Sequence, residues 1–111
     1  MKAAKPKVIK DYEKLDAATR EQIKLVYPYG FSENLISFSS KNGKIITALP
    51  FETDEKYYLI KMSILEAEQI IEDDDDYNDD GDLKSSAKEG YEDKYGDLDY
   101  LSETMAEDSN E

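Results

Sequence analysis

The chain has 111 residues, carries a formal net charge of −13, and contains neither cysteine nor histidine. Disulfide frameworks, thiolate metal sites and histidine-based acid–base or zinc chemistry are therefore excluded. The length allows one domain, and the charge is unevenly distributed. Residues 1–71 hold eleven Lys or Arg against ten Asp or Glu, whereas residues 72–111 hold three Lys against seventeen acids, so +1 and −14 make up the −13. Such asymmetry marks an interaction segment. The expected organisation is a small α+β domain over 1–71, followed by an acidic, mostly disordered tail over 72–111.

Lys2, Lys5, Lys7 and Lys10 open the chain without an intervening acid. Val8, Tyr12 and Leu15 then fall at i, i+4 and i+7, the spacing of a first helical face. Asp16 is placed to cap a second helix over 17–26, because its carboxylate can accept from the exposed N–H groups of the next turn. Pro28 ends that helix by pushing the preceding residue out of the helical region.

Beyond Tyr27-Pro28-Tyr29-Gly30-Phe31 the apolar period drops from helical to two. Residues 35–40 alternate, Asn42-Gly43 predicts a type I′ hairpin turn, and residues 45–49 form the return strand. Pro50 offers no N–H to a ladder and belongs near a strand end or an edge. A second turn over 53–56 leads to a third strand at 57–62, completing a three-stranded antiparallel meander. Ser63 and Glu66 have capping-box spacing and open a helix with Ile64, Ala67, Ile70 and Ile71 on its apolar face. N-terminal helices, meander and C-terminal helix together give an α+β fold.

No run approaches the roughly 20 apolar residues of a transmembrane helix, and the first residues lack the apolar centre of a signal peptide. The expectation is a cytoplasmic protein without membrane contact. The acids of residues 1–71 are dispersed among lysines, which predicts a solvated surface rather than an enzyme.

Two parts of the acidic segment carry specific expectations. Asp76, Asn78 and Asp80 sit at positions 1, 3 and 5 of an EF-hand-like loop, with Gly81 at position 6 and Asp82 at position 7. Position 12, which should be a bidentate glutamate, is Ala87, so a calcium site here would be weak, with Kd on the order of 10⁻⁴ to 10⁻³ M. Further on, Tyr91, Tyr95, Leu98, Leu101 and Met105 lie on one side of a conditional helix near 91–105. Such a stripe either enters an apolar groove of a partner while the acids meet a basic rim, or packs back on the domain.

An acidic, tyrosine-bearing segment suits a basic protein surface, and its sign rules out direct nucleic-acid binding by the tail. Basic surfaces in a cytoplasm are mostly nucleic-acid-binding ones, which such a tail occupies in place of phosphate, a form of nucleic-acid mimicry. The leading expectation is a non-enzymatic binding module docking on a transcription or translation machine, such as RNA polymerase or the ribosome. The alternative is a calcium-responsive module. The tail can also return to the lysines at positions 2–10 of its own chain.

The elements Tyr27-Pro28-Tyr29-Gly30-Phe31, Ala48-Leu49-Pro50-Phe51-Glu52-Thr53 and Lys56-Tyr57-Tyr58-Leu59-Ile60, followed by the Asp run, resemble a group of small acidic bacterial proteins of unassigned function. That resemblance implies no activity. In layout alone, a small domain before an acidic segment, the chain is similar to the delta subunit of some bacterial RNA polymerases, and layout does not carry function.

Overall fold

A computed structural model describes residues 5–98. The chain runs β1 (Lys7–Asp11), a 3-10 turn at Tyr12–Lys14, α1 (Ala17–Val26), a second 3-10 turn at Ser32–Asn34, β2 (Ile36–Ser39), β3 (Ile45–Glu52), β4 (Tyr57–Lys61), α2 (Ile64–Asp73) and α3 (Ser85–Tyr95). The fold is α+β, as expected, and the meander β2-β3-β4 is antiparallel. The sheet nevertheless has four strands in the order β1-β4-β3-β2, because β1 adds parallel to β4.

The first helix expected from Val8, Tyr12 and Leu15 is therefore a strand. Lys7 to Asp11 pair with Tyr57 to Lys61, some 50 residues away. The helical spacing still has meaning, since Leu15 is buried and Tyr12 packs against the core cluster. Their proximity comes from a strand followed by a turn, not from one helix face.

The local signals that depend on neighbouring residues appear as anticipated. The Asp16 carboxylate accepts from the Thr19 N–H at 3.2 Å, and α1 spans 17–26. A hydrogen bond from the Thr19 side chain, followed by this one from its backbone, holds the Asp16 carboxyl below its ordinary range. Ser63 and Glu66 complete a capping box, with Ser63 Oγ accepting from the Glu66 N–H at 3.1 Å and Glu66 Oε1 from the Ser63 N–H at 2.8 Å.

The hairpin differs from the anticipated type I′ turn. Within the turn only Gly43 has positive φ, at 83°, so a three-residue loop closes through the Gly43 N–H to the Ser40 carbonyl and the Ser40 N–H to the Lys44 carbonyl. This is the arrangement in which a left-handed glycine follows an ordinary turn. Pro50 lies inside β3, yet pairing with β2 ends at Ala48, so no neighbouring strand requires its missing N–H. Its carbonyl accepts the hydroxyl of Tyr27 instead.

One sheet face and the helices enclose the core: Leu49 and Phe51 of β3, Ile60 and the following Met62, Ile23 and Leu25 of α1, Ala67 of α2, and Phe31. α2 carries this packing on Ala67, Ile70 and Ile71, whereas Ile64 stays exposed. Residues 74–98 do not form a detached tail. Tyr77 and Leu83 are buried, and Tyr91, Tyr95 and Leu98 pack against the core cluster. The apolar side chains interspersed among the acids supply the reason, since each removes aromatic or aliphatic surface from water. Residues 99–111 lie outside the described part. No helix of the described residues is long and apolar enough to cross a membrane.

Candidate functional site

The residues following α2 turn back on the domain because both charge and apolar surface hold them there. Asp74 Oδ1 accepts from the Asp76 N–H at 2.8 Å, a local turn that points both carboxylates at Lys24. Lys24 Nζ lies 2.6 Å from Asp74 Oδ2 and 2.8 Å from Asp76 Oδ2, and its side chain is only 10 % exposed. Burial works against the ammonium, but the hydrogen bonds it donates to the two carboxylates outweigh it and raise the Lys24 pKa. Burial also opposes ionisation of Asp76, and here Lys24 and Tyr91 prevail and lower its pKa. The Tyr91 hydroxyl donates to Asp76 Oδ2 at 2.5 Å, tying α3 to the same centre.

From this anchor the chain makes a compact loop. The Asn78 N–H donates to the Asp82 carbonyl, the Lys84 N–H to the Asp76 carbonyl, and Tyr77 faces Leu83 in an antiparallel bridge. Gly81 takes φ 86° at the bend, a left-handed conformation that costs a side-chain-bearing residue about 1 kcal/mol. The Leu83 N–H donates to the Pro28 carbonyl at 2.7 Å. The Tyr77 hydroxyl donates to the Tyr27 carbonyl at 3.0 Å, and its ring meets Phe31 edge-on with centroids 6.2 Å apart.

Docking of this loop creates a groove of about 630 Å³ between α2, residues 29–33 and residues 77–81. Its floor is apolar: Phe31, Ala67 and Tyr77 are buried, and Ile71 is half-buried. Five carboxylates line it, from Glu33, Glu68, Glu72, Asp79 and Asp80, without a single Lys or Arg among the lining residues. Tyr29 also lines it and is 76 % exposed. Concave surfaces with one sign of charge over a low-dielectric floor concentrate field lines and attract counter-charges. A second, smaller hollow of about 300 Å³ lies on the β1 side of α2, with Asp11, Glu13, Lys61, Glu66 and Asp73 among the residues that line it.

Of the candidate calcium ligands, Asp76 is engaged by Lys24 and Tyr91. Asn78 Oδ1 accepts from the Asp80 and Asp82 N–H groups at 2.9 and 3.0 Å, so it serves the backbone of its own loop. No group of three or more Asp or Glu among the described residues converges closely enough to hold a metal ion. The glycine and asparagine that resemble an EF-hand loop are thus explained by the bend they make.

Of the candidate partner-binding stripe, Tyr91, Tyr95 and Leu98 pack against the chain's own core cluster. The Tyr95 hydroxyl donates to Glu21 Oε1 at 2.6 Å, and Lys94 Nζ lies 3.0 Å from the same oxygen. The bond from Tyr95 is the leading cause of the lowered Glu21 pKa. Leu101 and Met105 lie outside the described residues. The helix itself begins at Ser85, earlier than its apolar stripe suggests.

Lys24 and the acids of the groove escaped sequence reasoning for one reason. A lysine in an amphipathic helix looks solvated, and Glu33, Glu68 and Asp79 are too far apart in sequence to suggest a common surface. The alternation of Tyr77 and Leu83 with acids was the available signal that this stretch packs. No family model, curated protein or solved structure matches the chain.

Proposed function

We propose that this protein is a non-enzymatic binding module that docks on a basic protein surface, and that the groove between α2 and the loop at 77–81 receives a Lys- or Arg-bearing segment of the partner. The observation that carries the reading is five carboxylates around an apolar floor, with no cation among the lining residues. A lysine or arginine side chain matches this surface in both parts, its aliphatic stem on Phe31 and Tyr77 and its charged head among the acids. Exposed Tyr29 adds an aromatic face for a cation, an interaction of about 0.5–1 kcal/mol at exposed sites.

Residues 99–111 contribute five further acids and no base, which adds to the negative charge of the chain. The partner class that fits is a nucleic-acid-binding surface of a transcription or translation machine, where the acids take the place of phosphates.

The test is titration of the full chain with a fluorescent Lys/Arg-rich peptide at two salt concentrations. Binding is expected to weaken with salt, since exposed charges more than about 8 Å apart are screened at physiological ionic strength. Glu68→Lys with Glu72→Lys is expected to weaken it at least about tenfold, a loss of roughly 1.4 kcal/mol. Both positions are exposed, so the fold tolerates the change. Undiminished binding by the double variant would overturn the assignment of the groove.

A further inference from the structure

The helices close only one face of the sheet. Strand alternation and the observed register put a second set of side chains on the other face, in three rows across the strands. The central row is Ile9, Leu59 and Pro50. On one side of it lies Lys7, Tyr57 and Glu52, and on the other Asp11, Lys61, Ala48 and Ile36, with Ile46 and Phe38 beyond. None of these residues belongs to the core cluster that the helices cover. Leu59 and Ala48 are buried, while Ile9 is 50 % and Ile36 39 % exposed.

We infer that this face is a homodimer interface, in which a second copy of the chain stacks on it about a two-fold axis running along the central row. The charges argue for a second copy rather than another partner. A rotation about that row exchanges the two flanking rows, so Lys7 of each copy meets Asp11 of the other at both ends of β1. Lys61 of each copy meets the ring and hydroxyl of Tyr57 of the other. Ile9, Leu59 and Pro50 meet their own equivalents. A surface that matches itself in this way is what a two-fold interface requires, and aligned sheets pack at about 10 Å through their facing side chains.

The face also lacks the acidic excess of the rest of the molecule: Lys7 and Lys61 stand against Asp11 and Glu52, and Lys5, paired with Glu52, brings the sum to +1. A strongly acidic or basic partner would find little net charge to read there.

Size sets the strength. Four strands spaced about 4.8 Å apart and five residues rising about 3.3 Å each span roughly 19 by 17 Å. That is about 320 Å² per partner, less than half the about 800 Å² of standard interfaces, so the dimer is a weak, transient one. Two copies at −13 each repel one another. Added salt screens that repulsion and tightens the dimer, opposite to the salt response of the acidic groove.

Sedimentation equilibrium of the full chain, run up to about 1 mM protein at low and high salt, tests the inference. The mass is expected to rise from 12.7 kDa toward twice that value, and at lower protein concentration when salt is added. Ile9→Glu and Ile36→Lys, on different strands and both at exposed positions, are each expected to weaken association at least about tenfold. If one of them unfolds, the other decides. Lys7→Glu is expected to weaken it about fivefold, and Lys7→Glu combined with Asp11→Lys to restore it, because the exchanged charges face each other again. A constant mass of 12.7 kDa would overturn the inference and assign the face to another occupant. Association unaffected by either isoleucine variant, or a double charge exchange no better than Lys7→Glu, would also overturn it.

Discussion

Lys24 Nζ lies 2.6 Å from Asp74 Oδ2, joining residues fifty positions apart across the boundary between the near-neutral and acidic parts of the chain. The contact is largely out of water, with side-chain exposures of 10 and 18 %. It converts the start of the Asp run from a solvated charge cluster into a structural anchor. Asp76 and Tyr91 join the same ammonium, the latter with its ring 5.9 Å from Nζ. One lysine of α1 thereby organises the end of α2, the loop that walls the groove, and α3.

Lys24→Met should destabilise the fold by about 3 kcal/mol, because it leaves two partly buried carboxylates facing each other without a cation. Combining it with Asp74→Asn and Asp76→Asn should recover most of the loss, since the amides retain hydrogen bonding and carry no charge. Urea unfolding of the parent, the single variant and the triple variant checks both statements. A single-variant loss below about 0.5 kcal/mol would reduce the centre to a surface ion pair.

Tyr77 is the apolar counterpart of that anchor, 5 % exposed and edge-on to Phe31. Tyr77→Phe should cost about 1 kcal/mol for the hydrogen bond to Tyr27, and Tyr77→Ala about 3–5 kcal/mol for the emptied site. Truncation after residue 73 removes Tyr77, Leu83 and both partners of Lys24 together. Against a total stability of roughly 5–15 kcal/mol, that product should lose near-UV dichroism and cooperative melting. Cooperative unfolding of the truncated chain at the parent's midpoint would contradict the packing of residues 74–98.

Alkaline stability is limited by buried phenols. Burial pushes Tyr12 and Tyr27 from 10.0 up to about 12, and the Lys24 pKa is raised as well. Tyr91 is also raised to about 12, by burial and by its hydrogen bond to Asp76. A group whose folded pKa is raised stabilises fully below its unfolded value and loses that contribution as pH climbs through the folded value. The fold should therefore weaken between pH 10 and about 12. Tyrosinate absorbance should rise in two phases, the later one smaller in Tyr27→Phe. A single phase near pH 10 would show the phenols to be exposed.

The acid side runs with opposite sign. Asp76, lowered from 3.8, contributes stability above that value, and the contribution is lost as pH falls through the folded pKa. Asp76→Asn should be less stable than the parent at neutral pH and should lose less on acidification below pH 3.8, as chemical denaturation at a series of pH values would record. Parallel losses in the two proteins would assign acid sensitivity elsewhere.

Sequence alone determined the parts of this protein whose partners lie within a few residues. Asp16 with Thr19, Ser63 with Glu66 and the hairpin at Gly43 were legible because caps and turns are satisfied by the backbone immediately beside them. The antiparallel meander followed, since each of its connections is short. The charge division and the absence of histidine and cysteine were equally plain, and they bounded the chemistry before any fold was known.

Tertiary structure decided what depended on distance. Lys7–Asp11 became a strand because β4 offers a ladder some 50 residues away, and an open row of backbone partners outweighs three apolar residues at helical spacing. Residues 74–98 became part of the fold because Lys24, Phe31 and Glu21 take up charges, rings and hydroxyls that look solvent-exposed in a linear reading. The groove exists only as a consequence of that docking. Its acids come from three separate segments, and their common field arises when the burial of Tyr77 and Leu83 draws those segments together.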